Sequence, residues 1–324
     1  MKATIARRLH CLFAALLLCG LVAPRAHAQA GANCPPVAQA LTQEQIQQGL
    51  RDARDRGFLW RITRAGRNSW LYGTVHAAKR EWIFPGPQVS QALKASDTVA
   101  LELDMLDPEI VRRLAEGAAA QPKVTLPEAM QQRLQRQAEA ECVPAQALAP
   151  LSPELQVMTL SALVGRRDGI DPAYGIDGFL SGFGRGAGKT VVSLETPEQQ
   201  LQALQMPSAQ ATLEFVESGL KDLESSRARP HVLRIVQVWA DADLDALSRY
   251  ESWCECLDTE ADRALQARLI DARNPLLADA IAALHGRGKA VFAAVGSLHM
   301  VGPLGLPGLL ALRGFRVERV PFSR

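Results

Sequence analysis

His76 closes the run SWLYGTVH (69–76) and His299 closes AVFAAVGSLH (290–299), so each ends an apolar, strand-like stretch with Gly-x-x-His. With 24 glycines and 6 histidines in 324 positions, chance alone supplies about 0.4 such matches, so the spacing by itself decides little. Placement decides more. Both tetrapeptides sit where a strand ends and a loop begins, and the ends of strands at one sheet edge are where α/β proteins hold their chemistry. The glycine permits a tight turn or a close backbone approach that aims the imidazole into a cleft. Two imidazoles converging from separate strands suit a divalent metal ion, which also needs a carboxylate and an open position for water.

Two acids end strand-like runs and are candidates for that carboxylate: Glu102 in VALELD and Glu195 in VVSLE. Asp104, two residues beyond Glu102, shares its face of the strand. The plainer reading of each acid is a solvated strand terminus, and of each histidine a hydrogen-bonded core residue. Arg273 precedes Asn274 and Pro275 at the head of a helical run. Asn at the N-cap with Pro at the first helical position explains the stretch structurally. An arginine there also has the chemistry to hold a carboxylate.

These residues need elements to position them. LTQEQIQQGLRDARDRG, from Leu41, reads as a helix, and FLWRIT and SWLYGTV as a hairpin about the turn-rich RAGRN. PGPQVSQALKASD reads as a helix and TVALELD as a strand. Residues 107–167 have helical spacing broken at Pro122, Pro127, Pro144, Pro150 and Pro153. GIDPAYGIDGF reads as a loop and KTVVSLE as a strand, followed by helical pattern to about Ala272. Strand AVFAAV, helix LPGLLALRG and strand FRVERVPF complete the chain. The order strand, Gly-x-x-His, loop, helix, strand occurs at 70–104 and again at 290–322. The expectation is an α/β (α+β) fold: a central mixed sheet from two diverged β-GxxH-α-β halves, with a large helical insertion over about 107–272 in a single domain spanning 41–324.

Two further stretches mislead. GFGRGAGKT (182–190) imitates a phosphate loop, but Gly182 leaves five residues before Gly188-Lys189 where four are needed, and the stretch leads into a strand instead of opening a helix. Residues 290–312 carry no formal charge with His neutral, yet Gly296, Gly302, Pro303, Gly305, Pro307 and Gly308 interrupt any membrane-spanning helix. A buried strand, a glycine loop and a buried helix explain the run.

The chain opens with Lys2, Arg7 and Arg8, an apolar run from Leu12 to Val22, and Ala26-His27-Ala28, the pattern of a secretory signal peptide cleaved after Ala28. Residues 29–40 then form a linker. Loss of Lys2, Arg7, Arg8 and Arg25 takes the formal charge from +2 to about −2. Such a chain offers no basic footprint for nucleic acid. Export to a periplasm or beyond makes disulfides the expectation for Cys34, Cys142, Cys254 and Cys256, with three pairings open. Cys254 and Cys256 flank a single residue, an awkward loop for a mutual bridge, so one of them is expected to reach Cys34 or Cys142.

LYGTVHA with VALELD, GIDGFL, GKTVVSLETPEQQLQAL, ARNPLLADAI and VGSLHMVGPLGLPGLLALRGFRV together resemble the TraB/PrgY/GumN family, from about Phe58 to the C-terminus. The resemblance implies a mixed α/β fold related to the erythromycin-esterase and ChaN-like superfamily, and kinship with the metalloproteases called TIKI. It implies a metal-binding or catalytic role for His76, Glu102 and His299, with Glu195 and the Arg273-Asn274 pair at other motif positions. The family often has an acid before that pair, where this chain has Ala272. The expected function is an exported metal-dependent hydrolase of the peptidase class. His76, His299 and Glu102 would hold Mn²⁺, Zn²⁺ or Co²⁺, and Glu102, Glu195 and Arg273 would act in catalysis. The rival is a non-catalytic periplasmic protein that binds a peptide, a haem-like ligand or a metal.

Overall fold

The computed structural model describes residues 33–225, 227–257 and 259–322. The expected signal peptide lies outside the described residues. Six strands form one mixed sheet: β1 (Phe58–Arg64), β2 (Arg67–Thr74), β3 (Thr98–Leu101), β4 (Thr190–Ser193), β5 (Val291–Gly296) and β6 (Arg316–Val320), in the order β4-β3-β5-β2-β1-β6. β1 and β2 are a hairpin whose two turn residues, Ala65 and Gly66, have φ of 51° and 72°. Positive φ at both central positions gives a twist that matches the flanking strands. β6 adds antiparallel to β1, while β2, β5, β3 and β4 run parallel to one another. The strands that read most apolar, β3 and β5, lie in the middle of this parallel set and are buried almost throughout. Parallel strands covered on both faces have this composition.

The two expected halves share the sheet as neighbours, for β2 pairs with β5 and Thr74 stands opposite Gly296. One consequence sets the site. The carboxyl ends of β2, β5, β3 and β4 all fall on one edge, so the residues that follow them, His76, His299, Glu102 and Glu195, are delivered to the same place. The uncharged stretch 290–312 is strand β5, a 3₁₀ turn (Ser297–Met300) and a short helix (Leu306–Leu312). Among the described residues no helix is long and apolar enough to cross a membrane.

Between β3 and β5 the chain contributes β4 and a set of helices. Pro153–Leu163, buried on nearly every side, is their centre. It packs closely on the Ala209–Glu224 helix, where a Cβ on Gly219 would lie 2.3 Å from the Val157 side chain. The Ala228–Ala240 helix ties this roof to the sheet. Its Trp239 indole donates to the Gly73 carbonyl at 2.8 Å, and the Gly57 amide donates to the Trp239 carbonyl at 2.9 Å.

Two expectations change. The loop expected after Pro172 becomes a helix at Ile176–Gly186, which swallows most of the apparent phosphate loop. Its glycines permit close packing on the sheet: a Cβ on Gly184 would lie 2.8 Å from Val191 and 3.2 Å from Val99. The cysteines also pair otherwise than expected. Cys34 joins Cys142, and Cys254 joins Cys256. Glu255 between them has φ of 52°, a left-handed turn that brings the two Cα atoms to 5.0 Å, within the reach of a disulfide.

Candidate active site at the carboxyl edge of the sheet

His76 and His299 are both buried, and each ring is fixed through its Nδ1. His76 Nδ1 lies 2.7 Å from Asp177 Oδ2, and the other oxygen of Asp177 accepts from Thr74 Oγ1 at 2.8 Å. Asp177 stands in the first turn of the Ile176–Gly186 helix, whose Ile176 amide donates to the Val75 carbonyl at 3.0 Å. Gly175 makes this approach possible, because a Cβ there would sit 2.6 Å from the His76 carbonyl oxygen. His299 Nδ1 lies 2.6 Å from Asn274 Oδ1, and the Asn274 amide donates to the Leu304 carbonyl at 2.8 Å. With its nitrogen so committed, Asn274 presents oxygen to the ring, and Nδ1 of His299 carries the proton. Both rings therefore turn Nε2 toward the centre, held from behind in the manner of metal-ligating histidines.

Between them lies Glu102. Its Oε1 accepts from the Gly296 amide at 2.8 Å and is 3.9 Å from His76 Nε2. Its Oε2 is 4.0 Å from His299 Nε2 and accepts from Arg273 Nη2. Arg273 also binds Glu195 through Nη2 and through Nε at 3.0 Å, and its Nη1 donates to the Leu269 carbonyl at 2.9 Å and approaches His299 Nε2 at 3.3 Å. Gln200 completes the shell of Glu195 at 2.9 Å.

Charge follows from this arrangement. Burial works against ionised Glu102, but Arg273, the two imidazoles and the Gly296 amide outweigh it and hold the carboxyl well below its usual range. Burial raises Glu195 in spite of Arg273. Burial also pushes the His299 ring down to about 3, so it is neutral, with an Nε2 lone pair that faces Arg273 Nη1 at 3.3 Å. In His76 burial is overcome by Asp177, through charge and hydrogen bond, and by Glu102, so the ring holds its proton above the ordinary value.

The donor set, two imidazole Nε2 atoms and a carboxylate, has the chemistry of a divalent-ion site. The gap it faces is open because residue 296 is glycine. A Cβ there would lie 3.2 Å from Glu102 Oε1, 3.3 Å from His76 Nε2 and 3.7 Å from His299 Cδ2. As they stand, no three His, Cys, Asp or Glu side chains among the described residues are close enough to enclose an ion. By donor type and orientation the residues suit one, with a contraction of the two wide separations.

A model of the TraB/PrgY/gumN family matches residues 58–319. The chain belongs to this family. No curated protein and no solved structure matches it.

All five residues expected at the site, His76, Glu102, Glu195, Arg273 and His299, meet there. Asp104 does not: it turns to Ser181 at 2.6 Å and to Arg185. The expected N-cap role of Asn274 is also corrected. It is the first residue of its helix, and its side chain serves His299. Asp177 escaped notice because GIDGF reads as a loop, although an acid just inside a helix start is a favoured placement. The residue before Arg273, Ala272, is exposed.

Proposed function

We propose that this chain is an exported metal-dependent hydrolase, a peptidase, acting at His76, Glu102 and His299. The observation that carries the reading is the pair of rings with Nδ1 engaged and Nε2 turned on one buried carboxylate at 3.9 and 4.0 Å. His76, His299 and Glu102 would hold the ion. A carboxylate kept as acidic as Glu102 is a weak base toward ordinary water, so the reading needs acidified water, the chemistry a divalent cation supplies.

The protein's own groups do the rest. Glu102 takes the proton that water loses as its oxygen bonds to the carbonyl carbon, and returns it to the departing amine as the C–N bond breaks. Arg273 offers positive charge to the developing oxyanion, and Glu195 keeps the guanidinium in place. Asp177 and Asn274 fix the two rings, and the helical roof limits bulk water.

The test is metal content by mass spectrometry on protein purified without chelators or a histidine tag. About one ion per chain is expected, lost in His76→Ala and in His299→Ala while both stay folded. No ion after incubation with Mn²⁺, Zn²⁺ and Co²⁺ would overturn the reading. Glu102→Gln is then expected to abolish peptide turnover and leave peptide affinity intact.

A further inference from the structure

A small pocket, with a cavity volume of about 30 Å³, opens directly against the edges of His76 and His299. Val75 and Leu298 line it from the sheet edge, and Ile235, Leu247 and Ile270 from the roof. No Asp, Glu, Lys or Arg lines it. The hydroxyl protons of the lining residues Thr74 and Ser297 are already donated, to Asp177 at 2.8 Å and to the Thr74 carbonyl at 2.8 Å. A charged side chain entering here would give up hydration with only the two imidazole edges to offset the loss. An aliphatic side chain would leave water for apolar contacts on several sides. The roof residues are themselves almost fully buried, so the space is narrow and favours a short side chain over a large ring.

We propose that this pocket is the subsite for a short aliphatic side chain, of valine or leucine size, adjoining the bond that the histidine centre hydrolyses. The assignment rests on the hydrolase reading for what is cut and on the pocket alone for what is bound. Ile235, Leu247 and Ile270 are then the specificity-determining residues, all supplied by the helical roof and none by the chemistry itself.

The experiment separates binding from turnover. The N-acetyl, N′-methyl amides of glycine, valine, leucine, phenylalanine, lysine and aspartate are titrated into the full mature chain, with the ring resonances of His76 and His299 followed by NMR. In parallel, peptides varied at one position are assayed for cleavage. The valine and leucine amides should bind at least tenfold more tightly than the glycine, lysine and aspartate amides and should shift both histidine signals. Ile235→Phe, which fills the pocket, should weaken the leucine amide at least tenfold. Circular dichroism checks the fold of that variant, and where it is unfolded the wild-type series decides alone. Equal binding of charged and aliphatic amides, or binding that leaves both rings unmoved, would overturn the subsite. Cleavage without aliphatic preference would also overturn it and leave the hydrolase standing. Aliphatic binding without cleavage of any peptide would support the subsite and count against the hydrolase.

Discussion

Arg273 holds two buried carboxylates, Glu102 and Glu195, with one guanidinium. Removing a cation from such a pair leaves uncompensated buried charge, which costs about 3–5 kcal/mol. Arg273→Ala should therefore lower unfolding free energy by about that amount in urea titrations. Arg273→Lys should recover only part, because an ammonium lacks the planar fork that reaches both acids. His299 supplies a pH dependence of definite sign. Its folded value is about 3 against an ordinary 6.5, a consequence of burial. As pH falls below 6.5 the unfolded chain gains a proton that the folded ring refuses. The contribution of His299 is thus complete above that value and declines toward pH 3. Glu102 acts in the same direction at lower pH, and His76 in the opposite one. Urea titrations between pH 7.5 and 4 should show a shallower loss for His299→Gln than for the wild type; an equal slope would contradict the burial argument.

At the scale of elements, parallel strands bring the site together and glycine keeps it open. Gly296→Ala should place a methyl against Glu102 Oε1 and His76 Nε2, at 3.2 and 3.3 Å, in a backbone conformation that alanine accepts. Metal content and turnover should fall at least tenfold while the melting temperature moves by only a few degrees. A variant with full metal content would show that the gap is not where the ion sits. Much of this was legible beforehand. The six strands read correctly because β-branched and apolar runs are bounded by turn residues, and the five site residues were visible at strand ends and beside a proline. The Ile176–Gly186 helix was not, since four of its eleven residues are glycine and propensity argues against it. Packing overrides propensity there, because small residues let the helix lie close on β3 and β4. Asp177 was hidden with its helix. Asn274 was mistaken for a cap because its partner, His299, is 25 residues away in sequence.

At the scale of the whole molecule, the two disulfides differ in what they constrain. Cys34–Cys142 closes a separation of 108 residues and Cys254–Cys256 a separation of 2. Chain entropy makes the longer bridge worth roughly 3 kcal/mol more than the shorter. Urea titrations of Cys34→Ser/Cys142→Ser and Cys254→Ser/Cys256→Ser should show the larger loss in the first pair. A larger loss in the second would mean that the short bridge acts by packing in the roof, where both of its cysteines are buried.

The pairing of Thr74 with Gly296 joins an early strand to one of the last. During synthesis β2 and β3 are both made long before β5, the strand that must lie between them. A growing chain can display His76 and Glu102 yet has no second imidazole and no strand to set their spacing. The centre can therefore assemble only after β5 has been made and has entered the sheet between β2 and β3.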